Sequence, residues 1–262
     1  MRSIDFSMRV RYNKHMMKNY YEQPFNVRYC DVDFKDELKP SSVLAYFEEA
    51  ASYSADFLGF GYHFIKPRNL AFVVMNVRCE FLRPLHLFEK DVCVRTWPLQ
   101  PSYAAFGREY LLCAGEETVV KASSRWCLID LTTGKIAPSK VIDNQDYSTY
   151  NTRRALEVER WKIPAFPLEE GEEKFSLTIA NSEYDHNFHV NNTRYADYCF
   201  NVFSVEELKT KRLCSFSISY VKQCCEGDKL TFYRRQIGVN EYLVQGVNQH
   251  GEVVTQAEIC FV

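Results

Sequence analysis

The sequence predicts an α+β protein built twice over, each half an antiparallel sheet wrapped around one long apolar helix. Two observations carry this. The order strand, polar loop, apolar helix, long run of strands occurs between about residues 24 and 130 and returns between about 175 and 262. In both copies the apolar spacing changes from the 3.6 period of a helix to the period of strands at the corresponding place.

Taken in order, Met1 to Lys18 carries Arg2, Arg9, Arg11, Lys14 and Lys18 but no apolar core segment, which excludes a secretory signal peptide. Residues 1–19 read as a tail, or as a start upstream of a true one at Met16 or Met17. Residues 24–29 are strand-like. Pro40-Ser41-Ser42 then leads into Val43, Leu44, Phe47, Ala50, Ala51 and Leu58, an apolar helical face closed at Gly59. β-branched and aromatic runs follow at 70–82, 91–97, 105–113 and 118–130, with turns at Gly115-Glu116 and Thr133-Gly134. Residues 137–174, with Pro138, Pro164, Pro167 and an acidic run from Glu169 to Glu173, have the composition of a linker.

The second copy opens with a strand at 175–180 and the polar segment from Ser182 to Asn192. A helix is expected over 195–203, since Tyr195, Tyr198, Cys199, Val202 and Phe203 share one face. Strands follow at 216–223, 229–236, 241–248 and 252–262. Local echoes support the duplication: Glu80 to Arg83 answers Ser219 to Lys222, and Glu109-Tyr110-Leu111 answers Glu241-Tyr242-Leu243. A sheet must cover its apolar face, and a single apolar helix inside its curve does so. Two such units can pair their edge strands and remove exposed edges. The expected architecture is therefore a tandem (double) hotdog: tail 1–19, first domain 20–160, second domain 161–262.

Composition limits the function. Of 262 residues, 46% are hydrophobic and 25% charged, with 19 Phe and 17 Tyr, enough for a large aromatic core. A net charge of -2 gives no reason to expect a nucleic-acid partner. No run of about 18 apolar residues exists, so no membrane span is expected. Ten cysteines without metal-ligand spacing read as reduced thiols of a cytoplasmic protein.

The chemistry is concentrated at the second polar segment. Asp185, Asn187 and His189 stand at spacing two, so an extended backbone would send their side chains to one side. Asn191 or Asn192 is the expected N-cap of the following helix. Backbone N–H groups and the positive dipole end then lie beside a polar triad, an arrangement that can receive an oxyanion. The same residues also describe ordinary helix capping. A metal site on His186 and His189 lacks the third and fourth ligands that zinc needs. Cys224 could serve as a nucleophile, although a single strand cysteine commonly belongs to the core.

Asp185-x-Asn187-x-His189-Val190-Asn191-Asn192, followed by Tyr195, resembles the signature of the acyl-acyl carrier protein thioesterases of plant plastids and bacteria. Tyr220-Val221-Lys222-Gln223-Cys224 is similar to that family's Tyr-x-x-Glu-Cys segment. The resemblance implies catalytic roles for Asp185, Asn187, His189, Gln223 and Cys224. It further implies a first domain that shapes the acyl pocket without catalysing, no cofactor or metal, and hydrolysis of fatty acyl-carrier protein in fatty acid biosynthesis. Gln at 223 departs from the family's Glu, and an amide cannot act as a base. Because carrier protein is acidic, a basic docking face is expected, for which Lys209, Lys211 and Arg212 are candidates, with Arg153 and Arg154 as a second pair. The alternatives are an acyl-coenzyme A thioesterase of the same fold and a non-catalytic acyl-binding module. A monomer or a homodimer is compatible with the repeat.

Overall fold

A computed structural model describes residues 20–142, 152–185 and 188–262. In chain order the strands are β1 (Tyr21–Phe25), β2 (Leu70–Phe81), β3 (Val92–Pro98), β4 (Phe106–Ala114), β5 (Glu117–Asp130), β6 (Lys135–Ala137), β7 (Glu172–Thr178), β8 (Leu213–Tyr220), β9 (Lys229–Gly238), β10 (Glu241–Asn248) and β11 (Val253–Phe261). The helices are α1 (Pro40–Phe57), α2 (Tyr62–Ile65), α3 (Asn192–Phe200) and α4 (Val205–Lys209).

The strands form a single antiparallel sheet in the order β1-β3-β4-β5-β2-β8-β11-β10-β9-β7, with β6 against β5. The two halves mirror one another about the β2–β8 pair, which runs from Asn76↔Ser219 to Glu80↔Ser215. That joint hides one edge from each repeat, and the Asn76 amide donates to Ser219 Oγ across it at 2.7 Å. α1 and α3 pack side by side inside the curve.

α1 begins with Pro40, whose fixed φ suits a first helical position. It buries Val43, Leu44, Phe47, Ala50 and Ala51 in a core shared by both halves. Phe47 stacks on Tyr110 of β4 at 4.7 Å. On the other side, Phe200 and Phe203 meet Phe216, Tyr242 and Phe261.

Several boundaries differ from expectation for local reasons. α3 stops at Phe200, not Phe203, because Ser204 and Glu207 form a capping box that starts α4 anew. Phe203 is still buried, turned against Tyr242 and Phe261. The first strand ends at Phe25, since residues Tyr29–Asp31 wind into a 3-10 turn held by Asp31. The echo between Glu109 and Glu241 is not structural: Glu109 is fully buried, whereas Glu241 is exposed.

Glu109 explains the course of the linker. Its carboxylate accepts bonds from Ser123 Oγ at 2.7 Å, from the Ala155 N–H at 2.8 Å and from Arg154 at 3.1 Å. Arg78 donates to the Trp161 carbonyl at 2.6 Å. The chain then crosses over, and Ile163 and Phe166 pack with Leu243 of β10.

Candidate active site

The polar segment before α3 is a closed turn, not an extended strand. Tyr184 bridges Val190, the Asp185 N–H donates to the His189 carbonyl at 2.8 Å, and the Phe188 N–H donates to the Asp185 carbonyl at 3.2 Å. Phe188 has φ 59°, so the alternation assumed for spacing-two side chains is broken within the motif. The Asp185 carboxylate also receives the His189 N–H at 3.4 Å. Asn187 lies outside the described residues, as does His186.

The segment before α1 repeats this turn in the bonds of its described residues. Val32 bridges Leu38, Asp33 N–H donates to the Glu37 carbonyl at 2.8 Å, Asp36 N–H donates to the Asp33 carbonyl at 3.1 Å, and Asp36 has φ 59°. The Glu37 N–H donates to Asp33 Oδ1 at 3.2 Å. Asp33 therefore matches Asp185, Lys35 matches Asn187 and Glu37 matches His189. The first copy keeps the turn and its leading Asp but carries Lys35 and Glu37 in place of Asn187 and His189.

Beyond the second turn, Asn191 caps α3 with its side chain accepting the Thr193 N–H at 2.8 Å. Asn192 and Thr193 open onto a pocket also lined by Leu44, Glu48, Val77 and Tyr220. The Tyr220 hydroxyl donates to the Asn192 carbonyl at 3.2 Å. Trp126 lines this pocket and also a second, apolar one formed by Ala55, Phe60, Phe72, Leu99 and Phe106 of the first half. A small pocket at the start of α3, carrying Glu48, Asn192 and Thr193, thus adjoins an apolar cavity under α1, with Trp126 lining both.

Two ties hold the loop after the other predicted segment against the chain leading into the second turn. Tyr184 Oη accepts the Glu226 N–H at 2.7 Å, and the Ile179 N–H donates to the Asp228 carbonyl at 2.9 Å. Gln223 is exposed and its amide makes no hydrogen bond among the described residues. Cys224 is buried in the core beside Tyr195, and burial pushes its thiol up. A thiol held protonated is a poor nucleophile.

The cations of the expected docking cluster have local partners or lie at the far end of β8. Lys211 bonds Asn240 and lies over the rings of Tyr242 and Phe261, while Lys209 pairs with Glu206 at 2.6 Å. Arg212 precedes β8, whose far end carries Tyr220, so about 25 Å separates it from the mouth. Arg154 is engaged by Glu109.

Sequence reasoning missed Glu48. It stands four residues after Leu44 and three before Ala51, a charged side chain on the buried face of α1, and that interruption was the available signal. Burial, reinforced by the charge of Asp185, raises its carboxyl to about 7.

Comparison with known proteins places the family and the fold. Residues 18–144 match the family model for the acyl-ACP thioesterase N-terminal domain, and residues 168–262 match that for the acyl-ACP thioesterase C-terminal domain. The chain is 25% identical over 164 residues to the chloroplastic acyl-[acyl-carrier-protein] hydrolase FATB3 of Cuphea viscosissima, covering 60% of this chain and 39% of that protein. It is 25% identical over 136 residues to the chloroplastic palmitoyl-acyl carrier protein thioesterase of Cuphea hookeriana, covering 50% of this chain and 33% of that protein. The chain thus spans well under two thirds of these relatives' length. Its fold is that of an acyl-ACP thioesterase from Bacteroides thetaiotaomicron, with a TM-score of 0.83, 24% identity, and coverage of 93% of this chain and 98% of the other. A 12:0-ACP thioesterase from Umbellularia californica aligns with a TM-score of 0.80 at 18% identity, covering 94% and 98%.

Proposed function

Since the chain belongs to the acyl-ACP thioesterase family, we propose that it hydrolyses fatty acyl-carrier protein, releasing a free fatty acid at the mouth of α3. The observation that carries the reading is the junction, at Trp126, of the pocket at the first turn of α3 with an apolar cavity, which suits a thioester carbonyl followed by an alkyl chain.

Asp185 takes a proton from the attacking water, a role worth about 10²–10⁴ in rate for a positioned base. The N–H groups of the first turn of α3 stabilise the oxyanion, each aimed donor being worth about 10²–10³. His189 orients the water, and Asn187 holds the carbonyl, as the family's motif implies. Cys224 makes no bond to substrate, a role supported by its burial and raised thiol. The first copy, carrying Lys35 and Glu37 where the second has Asn187 and His189, contributes cavity walls.

Carrier protein is the proposed thiol partner, with coenzyme A as the competing one. Ten free cysteines support a reducing, cytoplasmic location. Among the described residues no helix is long and apolar enough to cross a membrane. Internal pairing of β2 with β8 supports action as a monomer.

The test is thiol release from acyl chains of several lengths on carrier protein and on coenzyme A. Wild type should prefer carrier-protein thioesters, and Asp185→Asn and His189→Ala should fall sharply. A preference for coenzyme A esters would reassign the thiol partner. Full activity in Asp185→Asn would remove Asp185 as the base.

A further inference from the structure

We propose that Glu48, carried by the helix of the first copy, is the second acid–base carboxyl of the active site formed by the second copy, and gives a proton to the departing thiolate. This rests on the thioesterase reading above. The family's second motif supplies Gln223 here, which is exposed and can neither give nor take a proton in this role. Glu48, by contrast, lines the pocket at the first turn of α3 together with Asn192, Thr193 and Tyr220. Its carboxyl has no hydrogen bond or ion pair among the described residues, so no structural contact accounts for a partly buried acid at this point of an apolar face.

The duplication provides an internal control. Glu48 lies nine residues after the N-cap of α1, Lys39, and Phe200 lies nine residues after the N-cap of α3, Asn191. Each faces the start of the other helix. Phe200 lines the pocket that holds Pro40, Val43, Asp33, Lys35 and Glu37 of the first copy. The first turn of α3, which follows the turn from Asp185 to His189, is therefore faced by a carboxyl, and the first turn of α1, which follows the turn with Lys35 and Glu37, by an apolar ring.

The ionisable neighbours leave Glu48 with a proton near neutrality. Asp185 adds negative charge from the turn before α3, after burial as the larger cause, and the carboxyl is held at about 7. Tyr110 of β4, pushed to about 12, and Tyr220 of β8, pushed higher, are neutral there. No cation among the described residues is paired with it.

The chemistry closes as follows. Water oxygen attacks the carbonyl carbon and one water proton passes to Asp185, giving a tetrahedral oxyanion. On collapse the carbon–sulfur bond breaks, its electron pair leaves on sulfur, and the Glu48 carboxyl protonates that sulfur. The proton on Asp185 then returns through water to Glu48. The net change is thioester plus water to carboxylic acid plus thiol.

The experiment measures kcat/KM against pH for wild type, Glu48→Gln and Glu48→Asp, with acyl-carrier protein and with an aryl thiol ester whose thiolate leaves unaided. Wild type should lose activity above about pH 7. Glu48→Gln should fall about 10–100-fold on acyl-carrier protein, lose that alkaline limb and lose far less on the aryl ester. Glu48→Asp should keep the limb at a reduced rate. Thermal melts confirm folding: Glu48→Gln should melt higher than wild type at pH 8 and equally at pH 4, since a raised carboxyl costs stability only once it ionises. Should Glu48→Gln match wild type within two-fold with the same alkaline limb, Glu48 has no acid–base role and the thioesterase reading stands. An equal loss on both esters would reduce Glu48 to a structural residue. If wild type releases thiol from no acyl ester, the functional reading falls and Glu48 with it.

Discussion

The turns before α1 and α3 share a backbone and differ in what their acids do. In the first copy Asp31 is saturated: Arg28 donates to it from its backbone at 2.9 Å and from Nε at 3.0 Å, and Tyr46 Oη donates at 2.7 Å. Desolvation opposes its charge, but these bonds, with the Arg28 charge, hold the carboxyl down at about 2. Its structural counterpart, Glu183, closes the same turn by accepting the Ala180 N–H at 3.0 Å. Two residues on, Asp33 binds the N–H groups of Lys35 and Glu37 and Asp185 that of His189, but only Asp185 lies near a raised carboxyl, that of Glu48. A carboxylate surrounded by donors is fixed in place.

The largest effect separating the copies should come from the matched pair Asp185→Asn and Asp33→Asn. The first should lower kcat/KM about 10²–10⁴-fold, while the second should leave it within about three-fold. Installing the missing side chains, Lys35→Asn with Glu37→His, in an Asp185→Asn background should restore no thiol release, because Phe200 faces that mouth where Glu48 faces the other. Recovery there would show that the turn alone suffices.

Asp31 offers a stability test. Its folded value near 2 lies below the ordinary 3.8, so its contribution is present above about pH 4 and lost as pH falls toward 2. Tyr46→Phe should cost about 1–3 kcal/mol at pH 7 by removing one buried donor, while Glu183→Gln, on the more exposed counterpart, should cost less. Urea melts at pH 7 and pH 3 compare them. Cys224→Ala should keep kcat/KM within a few-fold, with a stability loss of about 1–2 kcal/mol from the emptied core volume. The smallest change is expected from joint replacement of Lys209, Lys211 and Arg212 by Ala: within two-fold at low salt, as those cations have local partners or lie far from the mouth. A large loss there would return the docking face to that end of α3.

Much of the site was legible because it is local. Asp185 and His189 are joined by a turn five residues long, and the Asn191 cap touches Thr193 two residues on, so sequence spacing implies proximity. The side-chain geometry was not legible, since a left-handed Phe188 turns an apparent strand into a loop. Lys211 was expected at a basic docking face, but a ring pair contributed by β10 and β11 lies beneath it. Glu48 was missed because its partner, Asp185, is 137 positions away, and no periodicity links a helix to the neighbouring copy's loop.

The duplicated order of elements, the apolar face of each central helix and the polar motif that opens α3 all follow from the sequence alone, because each rests on residues within one or two turns or strands of each other. The tertiary fold decided which carboxyl stands opposite Asp185. It joined β2 to β8, laid α1 beside α3, and so set Glu48 at one mouth and Phe200 at the other. Pairing across a sheet and packing between helices are set by the burial of surfaces distant in the chain, and it is these contacts that distinguish two otherwise matching loops.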